Sequence, residues 1–585
     1  MNMGMNILKG AVAAVLLGTG FAAAATPLVQ VQHNVPVAVS KATLIGHHNP
    51  RSTLAITVGL RLRNTDQLDA LMRDIYTRGS PDFHHFLDRD QFRTQFGPTQ
   101  DDVNAVISFL KQQGVSVNPT KDVSYGRTLI HARASTATIE SAFGVTINNY
   151  TLNGKTFYAA STNPSIPATL GTRVLSVMGL DDAVQLVPHS IKSPAPKGGG
   201  LGIGGFSPLQ IQTAYGLWDL TDATQATSSD GTNTAAVKIG IATAFSFRRA
   251  DLTHFWSHYG LPDHTVVIHS VDGVTRQLNG ETTLDIERSG AMSPGSEIHV
   301  YEGSSPKFTT FVDVFDAIAN DSSPVDVVST SWGSPEPDNS NPTATQFSTL
   351  VQESQVYQQL ALAGIPVFAA AGDNGAADGT VDSSHADYPS SDPNVVAAGG
   401  TSLFLNPDNT IASESAWSGA GGADSLLFAQ PAYQGGVVNA NGFCIDDTFT
   451  NGGIDAGVAC LGAGNDSRQS SDMAMDADPA TGYSIYFNGR WEVFGGTSFV
   501  APELAGFFAV VTARYRTSVI SNTALVGNGN ALIYAEAAAN SGDFNDITTG
   551  SNGFSAGAGW DHPTGFGTPK NGDTMANDMV ALLPH

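Results

Sequence analysis

The stretch Gly495-Gly496-Thr497-Ser498-Phe499-Val500-Ala501-Pro502 joins a tight glycine turn to a predicted helix that continues to Val511. The glycine pair lets the backbone turn sharply, and Pro502 is compatible with the first turn of a helix. Ser498 is therefore expected at a positive helix end, beside backbone N–H groups that suit a nucleophile in acyl transfer. A serine there is equally typical of an ordinary helix N-cap, so the motif alone leaves both interpretations open.

Around this stretch, short apolar runs alternate with helical ones. Buried strands are predicted at residues 237–242, 297–301, 325–329, 366–371 and 395–398, and helices at residues 348–363 and 498–515. This alternation favours a parallel sheet flanked by helices, that is, an α/β fold.

The chain of 585 residues is too long for one ordinary domain. Residues 1–25 have the pattern of a signal peptide: Lys9, a short apolar segment and an alanine-rich cleavage site. No later apolar run is long enough to span a membrane, so a secreted protein is expected, extracellular or periplasmic, with no membrane association once the signal is removed.

Three further segments follow the signal. Residues 26–190 mix strand-like runs at 54–60, 128–132 and 174–178 with an amphipathic helix at 101–113, which predicts an α+β domain. Residues 191–205 are rich in proline and glycine and are predicted to be an exposed linker that carries a processing site. Residues 206–585 form the main domain. The chain is expected to act as a monomer.

Charge is unevenly distributed between these segments. Residues 26–198 contain 16 Lys and Arg against 12 Asp and Glu, whereas residues 199–585 contain 11 against 41. Nucleic acid is therefore excluded as a partner of the acidic part. The asymmetry indicates a basic segment that docks on an acidic one and loosens when carboxylates are neutralised by acid.

The two cysteines, Cys444 and Cys460, lie close together in a segment rich in Gly and Asp. In an exported protein, one disulfide that closes a local loop is the favoured interpretation, and two free thiols are the alternative.

A serine nucleophile needs a base, and no histidine of the main domain lies in a glycine-rich motif suited to that role. Gly280-Glu281-Thr282-Thr283-Leu284-Asp285-Ile286-Glu287 offers carboxylates instead. Glu281 and Asp285 are four residues apart and share one face of a helix, where repulsion and apolar neighbours raise a carboxyl pKa. A raised pKa suits a base in mildly acidic water, although a solvated acidic face has the same spacing.

Asp373 follows the apolar run Phe368-Ala369-Ala370-Ala371-Gly372. An aspartate at such a strand end is either a turn residue or, if protonated, a hydrogen-bond donor to an oxyanion.

In this order, the motifs resemble the sedolisin family of serine-carboxyl peptidases. The segments that carry the resemblance are residues 280–287, 328–333 (Val-Ser-Thr-Ser-Trp-Gly), 370–373, 476–483 and 496–498, together with residues 90–103, which resemble an inhibitory propeptide. The resemblance implies a subtilisin-like fold with seven parallel strands, made as a proenzyme that its own N-terminal domain inhibits and that activates itself at low pH.

The resemblance also implies roles for individual residues. Ser498 is the nucleophile, Glu281 the base, Asp285 its orienting partner and Asp373 the oxyanion donor, and protein or peptide substrates are expected to bind along Ser331, Trp332 and Gly333. One structural Ca²⁺ is expected, for which the Asp and Gly-rich turns near the C-terminus suit an oxygen-seeking cation. Its ligands are predicted to be the carboxylates of Asp546 and Asp561 and the carbonyls of Ile547, Gly557 and Gly559.

The sequence departs from the family at one position: the first strand of the main domain lacks a further glutamate that some members have, which leaves the pH optimum open. Two rival functions remain, a Ser-His-Asp peptidase that loses activity below about pH 6 and a catalytically silent binding protein. The presence of Glu281, Asp285, Asp373 and Ser498 together argues against the silent protein.

Overall fold

The computed structural model describes residues 27–193, 204–217, 237–336, 347–378, 385–435 and 467–585. The predicted signal peptide, most of the predicted linker, and Cys444 and Cys460 lie outside the described residues.

The N-terminal region is an α+β domain, as predicted. Its strands are β1 (Leu28–Gln30), β2 (Thr43–His47), β3 (Thr53–Leu60), β4 (Leu129–Ser135), β5 (Ile147–Leu152), β6 (Lys155–Ala160), β7 (Ser165–Pro167), β8 (Val174–Met178), β9 (Val187–Pro188) and β10 (Ile191–Lys192). Its helices are α1 (Ala38–Lys41), α2 (Thr65–Tyr76), α3 (Arg89–Gln95), α4 (Gln100–Gln112) and α5 (Thr136–Phe143), with a 3₁₀ turn at Ala168–Leu170.

Helix α4 agrees with the sequence prediction to within one residue at each end. It begins at a capping box, in which Thr99 accepts from the backbone of Asp102 and Asp102 accepts from the backbone of Thr99. It ends before Gly114, whose φ of +77° is a left-handed conformation that glycine adopts without strain. Its apolar face packs on β3, the central strand of the three-stranded sheet β4-β3-β8.

The main domain contains the strands β11 (Lys238–Ala244), β12 (Val266–Val271), β13 (Glu297–Gly303), β14 (Val327–Thr330), β15 (Trp332–Pro335), β16 (Val367–Ala370), β17 (Asp387–Tyr388), β18 (Val395–Leu405), β19 (Ile411–Ala416), β20 (Asp424–Ala429), β21 (Ser467–Gln469), β22 (Met473–Asp476), β23 (Tyr483–Phe487), β24 (Arg490–Gly495), β25 (Phe544–Asn545) and β26 (Thr568–Pro569). Its helices are α6 (Pro208–Ala214), α7 (Arg249–His258), α8 (Gly280–Met292), α9 (Phe308–Ala319), α10 (Phe347–Leu362), α11 (Val500–Ser518), α12 (Gly529–Ala539) and α13 (Gly572–Ala581), with 3₁₀ turns at Ala432–Gln434 and Ser541–Asp543.

The main sheet has eight strands, and helices flank it. Seven of them are parallel, in the order β12-β13-β11-β14-β16-β18-β22. The eighth, β19, runs antiparallel to the second half of β18. The predicted α/β fold with seven parallel strands is therefore confirmed, and β19 adds a hairpin that the apolar pattern did not indicate.

Two helices that carry or follow the candidate catalytic residues lie deep in this domain. Every residue of α8 from Glu281 to Met292 is buried. The first fourteen residues of α11 are buried as well, and α11 packs against α8. Arg288 of α8 and Glu503 of α11 form a fully buried ion pair that joins the two helices. The polar residues of α8 therefore face the protein interior rather than water.

The N-terminal domain docks on α9 and α10 of the main domain. Leu129 and Met178 form an apolar cluster with Val312 of α9. Thr128 Oγ1 donates to Asp316 Oδ1 of α9 over 3.0 Å, and the backbone N–H of Leu62 donates to Gln355 Oε1 of α10 over 3.0 Å. Within the described part of the chain, no helix is both long enough and apolar enough to cross a membrane.

Candidate active site

Ser498 lies in the turn between β24 and α11. Gly496 has a φ of +112°, which favours glycine, and its N–H donates to the carbonyl of Ala477 over 2.5 Å. The helix begins at Val500 with Phe499 as its N-cap, two residues later than predicted. Ser498 is therefore not the N-cap, and its hydroxyl is fully buried with its oxygen 3.5 Å from the carbonyl oxygen of Ser331.

Glu281 and Asp285 lie on successive turns of α8, beside Ser498. Asn279 caps this helix by accepting the N–H of Glu281 over 2.8 Å. The Oγ atom of Ser331 is 2.6 Å from Asp285 Oδ1 and 3.1 Å from the carbonyl oxygen of Ser498. One hydroxyl proton can serve only one of these two acceptors. If Asp285 is protonated, it donates to Ser331, and the Ser331 hydroxyl is free to donate to the Ser498 carbonyl.

Burial is the main electrostatic influence on this carboxylate pair. Burial raises the pKa of Glu281 to about 7, opposed by the hydroxyls of Ser190, Ser498 and Ser331 and by His189. Burial and then the neighbouring Glu281 raise the pKa of Asp285 well above its usual range. Neither oxygen of Glu281 has a hydrogen bond of good geometry among the described residues. The pair therefore suits a state with one shared proton, in which Glu281 can accept another from a nearby hydroxyl.

Asp373 follows β16 and is held by the turn that carries Ser498. The backbone N–H and the hydroxyl of Thr497 both donate to Asp373 Oδ1, over 2.8 Å and 3.0 Å. The other oxygen, Oδ2, is buried without a hydrogen-bond partner among the described residues. Burial raises the pKa of this carboxyl to about 7, so below that pH Oδ2 carries a proton that it can donate.

The last segment of the N-terminal region crosses this site in an extended conformation. Pro188 pairs with Trp332 and Val187 with Gly333, antiparallel, and Ile191 pairs with Gly495 on the opposite side of the cleft. Residues 187–192 thus lie between β15 and β24, in the position that a bound peptide would take.

His189 occupies the centre of this segment. Its N–H donates to the carbonyl of Ser331 over 3.0 Å, and its carbonyl accepts the N–H of Ser498 over 2.9 Å. A Cβ atom on Gly496 would collide with both this carbonyl oxygen and Asp373 Oδ2, so the two oxygens flank the same point. The His189 carbonyl therefore lies where a backbone N–H and a protonated carboxyl can polarise it together.

The side chain of His189 enters a buried acidic pocket. Its Nε2 is 3.1 Å from Asp387 Oδ1, and both side chains are buried. A Cβ atom on Gly333 would collide with both groups, so only glycine leaves this pocket open. The indole of Trp332 is buried and donates to Thr243 Oγ1 over 3.1 Å. The three predicted substrate-binding residues, Ser331, Trp332 and Gly333, all lie beside residues 187–192. Ser331 also forms a hydrogen bond with Asp285.

The two predicted calcium carboxylates, Asp546 and Asp561, lie near one another close to the C-terminus. Asp546 Oδ2 accepts the N–H of Gly559 over 3.0 Å, and Asp561 Oδ2 accepts the N–H of Gly557 over 2.9 Å. Burial and then the nearby charge of Asp546 are among the effects that raise the pKa of Asp561. Two carboxylates in one turn cluster, with the carbonyls of Ile547, Gly557 and Gly559 close in sequence, fit the oxygen ligands that Ca²⁺ prefers.

Sequence reasoning missed Thr497, His189 and Ser190. Thr497 is 124 residues away from Asp373 along the chain, so no local pattern links them. His189 and Ser190 were assigned to the end of the N-terminal domain, with the processing site placed in the linker. Their signal in the sequence is only the extended stretch Val187-Pro188-His189-Ser190, since a residue before proline favours extended backbone.

Comparison with known proteins agrees with this architecture. The sequence model described as "Pro-kumamolisin, activation domain" matches residues 40–183, and that described as "Subtilase family" matches residues 274–567, about half of the chain. Kumamolisin of Bacillus sp. (strain MN-32) is 28% identical, with 94% of this chain and 95% of the relative covered. Sedolisin of Pseudomonas sp. (strain 101) is 27% identical, with 88% and 85% covered. A crystal structure of Pseudomonas sedolisin, titled as a serine-carboxyl proteinase complexed with two molecules of pseudo-iodotyrostatin, has a TM-score of 0.51 at 23% identity and covers 64% of this chain and 97% of its own, which supports the fold.

Proposed function

This chain belongs to the sedolisin family of subtilases and is a serine-type peptidase with an activation domain, and from that premise we propose that it is a secreted, acid-active endopeptidase that activates itself by cutting the His189–Ser190 bond. The observation that carries the proposal is the hydrogen bonding of His189, through its N–H to Ser331 and through its carbonyl to Ser498. A substrate residue directly before the cut bond needs both contacts, because they fix its carbonyl beside the nucleophile.

The proposed reaction uses groups that surround this carbonyl. Ser498 Oγ attacks the carbonyl carbon while its proton passes to Glu281. Asp285 carries a proton that it shares with Glu281, and the Ser331 hydroxyl holds Asp285 in place. The negative oxygen of the tetrahedral intermediate accepts from the Ser498 N–H and from protonated Asp373. Glu281 then protonates the departing amine, and water hydrolyses the acyl-enzyme by the same steps in reverse roles.

Acid activity follows from the proton that Asp373 must carry. Its pKa of about 7 means that it donates below neutral pH and becomes a repelling carboxylate above it. A Ser-His-Asp mechanism is disfavoured, because the histidine in contact with the Ser498 turn is His189. That residue precedes the proposed cut and leaves with the activation domain, so it cannot serve as the base of the mature enzyme.

The acidic pocket indicates which side chain the enzyme accepts before the cut bond. Asp387 contacts His189, and Asp378 and Glu336 are buried nearby and both influence the pKa of Asp387. We expect histidine or a basic side chain there, since a cation or a hydrogen-bond donor compensates the buried acids. The proposed cut lies just before the predicted linker of residues 191–205, where a later trimming cut remains expected.

The proposal has four further parts. They are export, one structural Ca²⁺ at Asp546 and Asp561, a disulfide between Cys444 and Cys460, and action as a monomer. The Asp561 carboxylate, held by Gly557 and Thr564, is the ligand on which the calcium assignment depends. The melting temperature should therefore fall on chelation, and an unchanged value would count against this site.

The test is the N-terminal sequence and mass of the purified proenzyme before and after incubation at acid pH. A new N-terminus at Ser190 is expected, together with loss of about a third of the mass. The Ser498→Ala proenzyme should stay intact, which separates self-cleavage from a contaminating peptidase. An activity maximum near neutral pH would contradict acid activity. Near-normal turnover in Glu281→Gln would contradict its role as the base. A first N-terminus found only within residues 194–203 would contradict the cut at the His189–Ser190 bond.

A further inference from the structure

A second group of carboxylates lies apart from both the active site and the predicted calcium turn. Glu536 comes from the last turn of α12, Asp543 from the 3₁₀ turn that follows it, and Asp578 from α13. One carboxylate oxygen of each lies within 4.8 Å of the other two. From this geometry we propose that the cluster is a second divalent-cation site, with a ligand chemistry suited to Ca²⁺.

The strongest support is the side chain of Glu536. It is fully buried and is aimed at the other two carboxylates. Its Oε1 accepts from the neutral amide of Asn540 over 3.2 Å, whereas its Oε2 has no hydrogen bond of good geometry among the described residues. Asp543 Oδ2 is also buried and without a hydrogen bond of good geometry. A buried carboxylate oxygen with nothing to bond is costly, and a cation is one group that satisfies several such oxygens at once.

The charge around the cluster is also uncompensated. Within the described residues, no Lys, Arg or His forms an ion pair with Glu536, Asp543 or Asp578. Lys570 is adjacent, but only its backbone N–H reaches the cluster, donating to the carbonyl of Asp543 over 2.8 Å. By contrast, Asp573 of the same helix α13 is paired with Arg514.

The ligand types indicate the cation. Ca²⁺ takes about six to eight oxygen ligands in a flexible geometry, whereas Mg²⁺ is usually bound through one or two carboxylates and keeps several water ligands. Three carboxylates, with one oxygen of each within 4.8 Å of the other two, therefore fit Ca²⁺ better. Asp543 and Asp578 are partly exposed, which leaves a route for the ion from solvent and room for water ligands.

A bound ion would link α13 to the segment that precedes the predicted calcium site at Asp546 and Asp561. Asp543 is three residues before Asp546, and α13 packs against α12 and α11. Protons compete with the ion for the same carboxylate oxygens, so binding is expected to weaken as the pH falls from neutral into the acid range.

The alternative is that Glu536 and Asp543 share a proton and hold no ion. Calcium binding to the full-length Ser498→Ala proenzyme at pH 7.5, measured by equilibrium dialysis with Ca²⁺ alone, separates the two. We expect Glu536→Gln to bind one Ca²⁺ fewer than its parent, and Asp578→Asn to bind at this site at least tenfold more weakly. Asp573→Asn, the same charge change on the same helix, should keep the parent stoichiometry.

Asp578→Asn also serves as the second variant, because Asp578 is partly exposed and its replacement is less disruptive than that of buried Glu536. Asp561→Asn should remove the other ion, so the two sites are counted separately. Stoichiometry and affinity in Glu536→Gln and Asp578→Asn equal to those of the parent would overturn the proposal. So would an equal loss of melting temperature on chelation in the parent and in both variants.

Discussion

His84 of the activation domain is partly buried, in a position where protonation by acid should weaken docking. It lies in the loop between α2 and α3, within 5.1 Å of the Phe86 ring and near Tyr76. Tyr76 OH donates to the carbonyl of Ala361 over 2.5 Å and accepts the N–H of Asn528, and Phe86 packs on Gly364, so this loop is part of the docking surface. Burial and then Arg78 lower the pKa of His84 from 6.5 to about 4.

The lowered pKa of His84 determines how docking depends on pH, and it sets an upper limit on the contribution of His84 to the free energy of docking. When the domain is docked, the neutral imidazole is favoured, so the stabilisation is complete above pH 6.5 and is lost as the pH falls towards 4. The fall of the His84 pKa from 6.5 to about 4 corresponds to roughly 3.4 kcal/mol, or about 300-fold in the docking equilibrium. That limit is reached only if undocking fully exposes His84 to water.

The perturbation is His84→Phe, with exposed His85→Phe as the matched control. His84 Nδ1 has no hydrogen-bond partner among the described residues, so the replacement removes no described bond at that atom. Self-processing rates of the full-length proenzyme are measured between pH 3 and 7 by gel electrophoresis and mass spectrometry. His84→Phe should need a pH about one to two units lower to reach the same rate. Superimposable profiles for His84→Phe and the unmodified proenzyme would refute the role of His84.

Three further predictions concern the active site. Asp373→Asn keeps a donor at every pH, so peptide hydrolysis should lose the decline expected above about pH 7, whereas Asp373→Ala should lose about 10²–10³ in kcat; an unchanged pH profile in Asp373→Asn would contradict the oxyanion role. Ser331→Ala removes a hydroxyl that lowers the pKa of both carboxyls, so the acid limb of the kcat profile should move to higher pH with a loss of about tenfold, and a change in KM alone would contradict this. Gly333→Ala places a methyl group against His189 and Asp387, so self-processing should slow by at least about tenfold. The melting temperature of the Ser498→Ala proenzyme should also fall on this substitution, because the methyl group overpacks a buried site. Normal processing would show that His189 does not use this pocket.

Local patterns were sufficient for the elements that position the site. The apolar runs at 237–242 and 297–301 are strands because both faces of a parallel sheet are covered by helices, which leaves little place for polar residues. Glu281 and Asp285 share a helix face as their spacing of four predicts, and the burial of the whole of α8 decides between a solvated acidic face and a buried pair. A spacing of four residues fits both a solvated face and a buried pair. The sequence therefore could not predict the burial, which results from tertiary packing.

The contacts that adjust the chemistry join distant parts of the chain. Thr497 holds Asp373 from 124 residues away, and Ser331 reaches Asp285 from 46 residues away. Ser498 resembled a helix N-cap because the sequence shows a serine before an apolar run. The turn formed by Gly496 and Thr497 delays the helix until Val500 and leaves the hydroxyl oxygen 3.5 Å from the carbonyl oxygen of Ser331. The cluster of Glu536, Asp543 and Asp578 has no sequence motif at all.

The segment that blocks the cleft also affects the pKa values of the groups that it covers. Burial is the largest cause of the raised pKa of both Glu281 and Asp373, and it outweighs the lowering effects of Ser190 on Glu281 and of His189 on both carboxyls. The carbonyl of His189 lies against the Ser498 N–H and beside Asp373 Oδ2, so we expect part of this burial to come from the segment itself. When the segment leaves, water reaches both carboxyls, and their pKa values should fall towards the ordinary range of about 4. A bound substrate lies in the same place and excludes the water again, so the proton on Asp373 is retained to higher pH in the complex than in the free enzyme. The pH limit seen in kcat should therefore lie above the limit seen in kcat/KM, since the first reports the complex and the second the free enzyme.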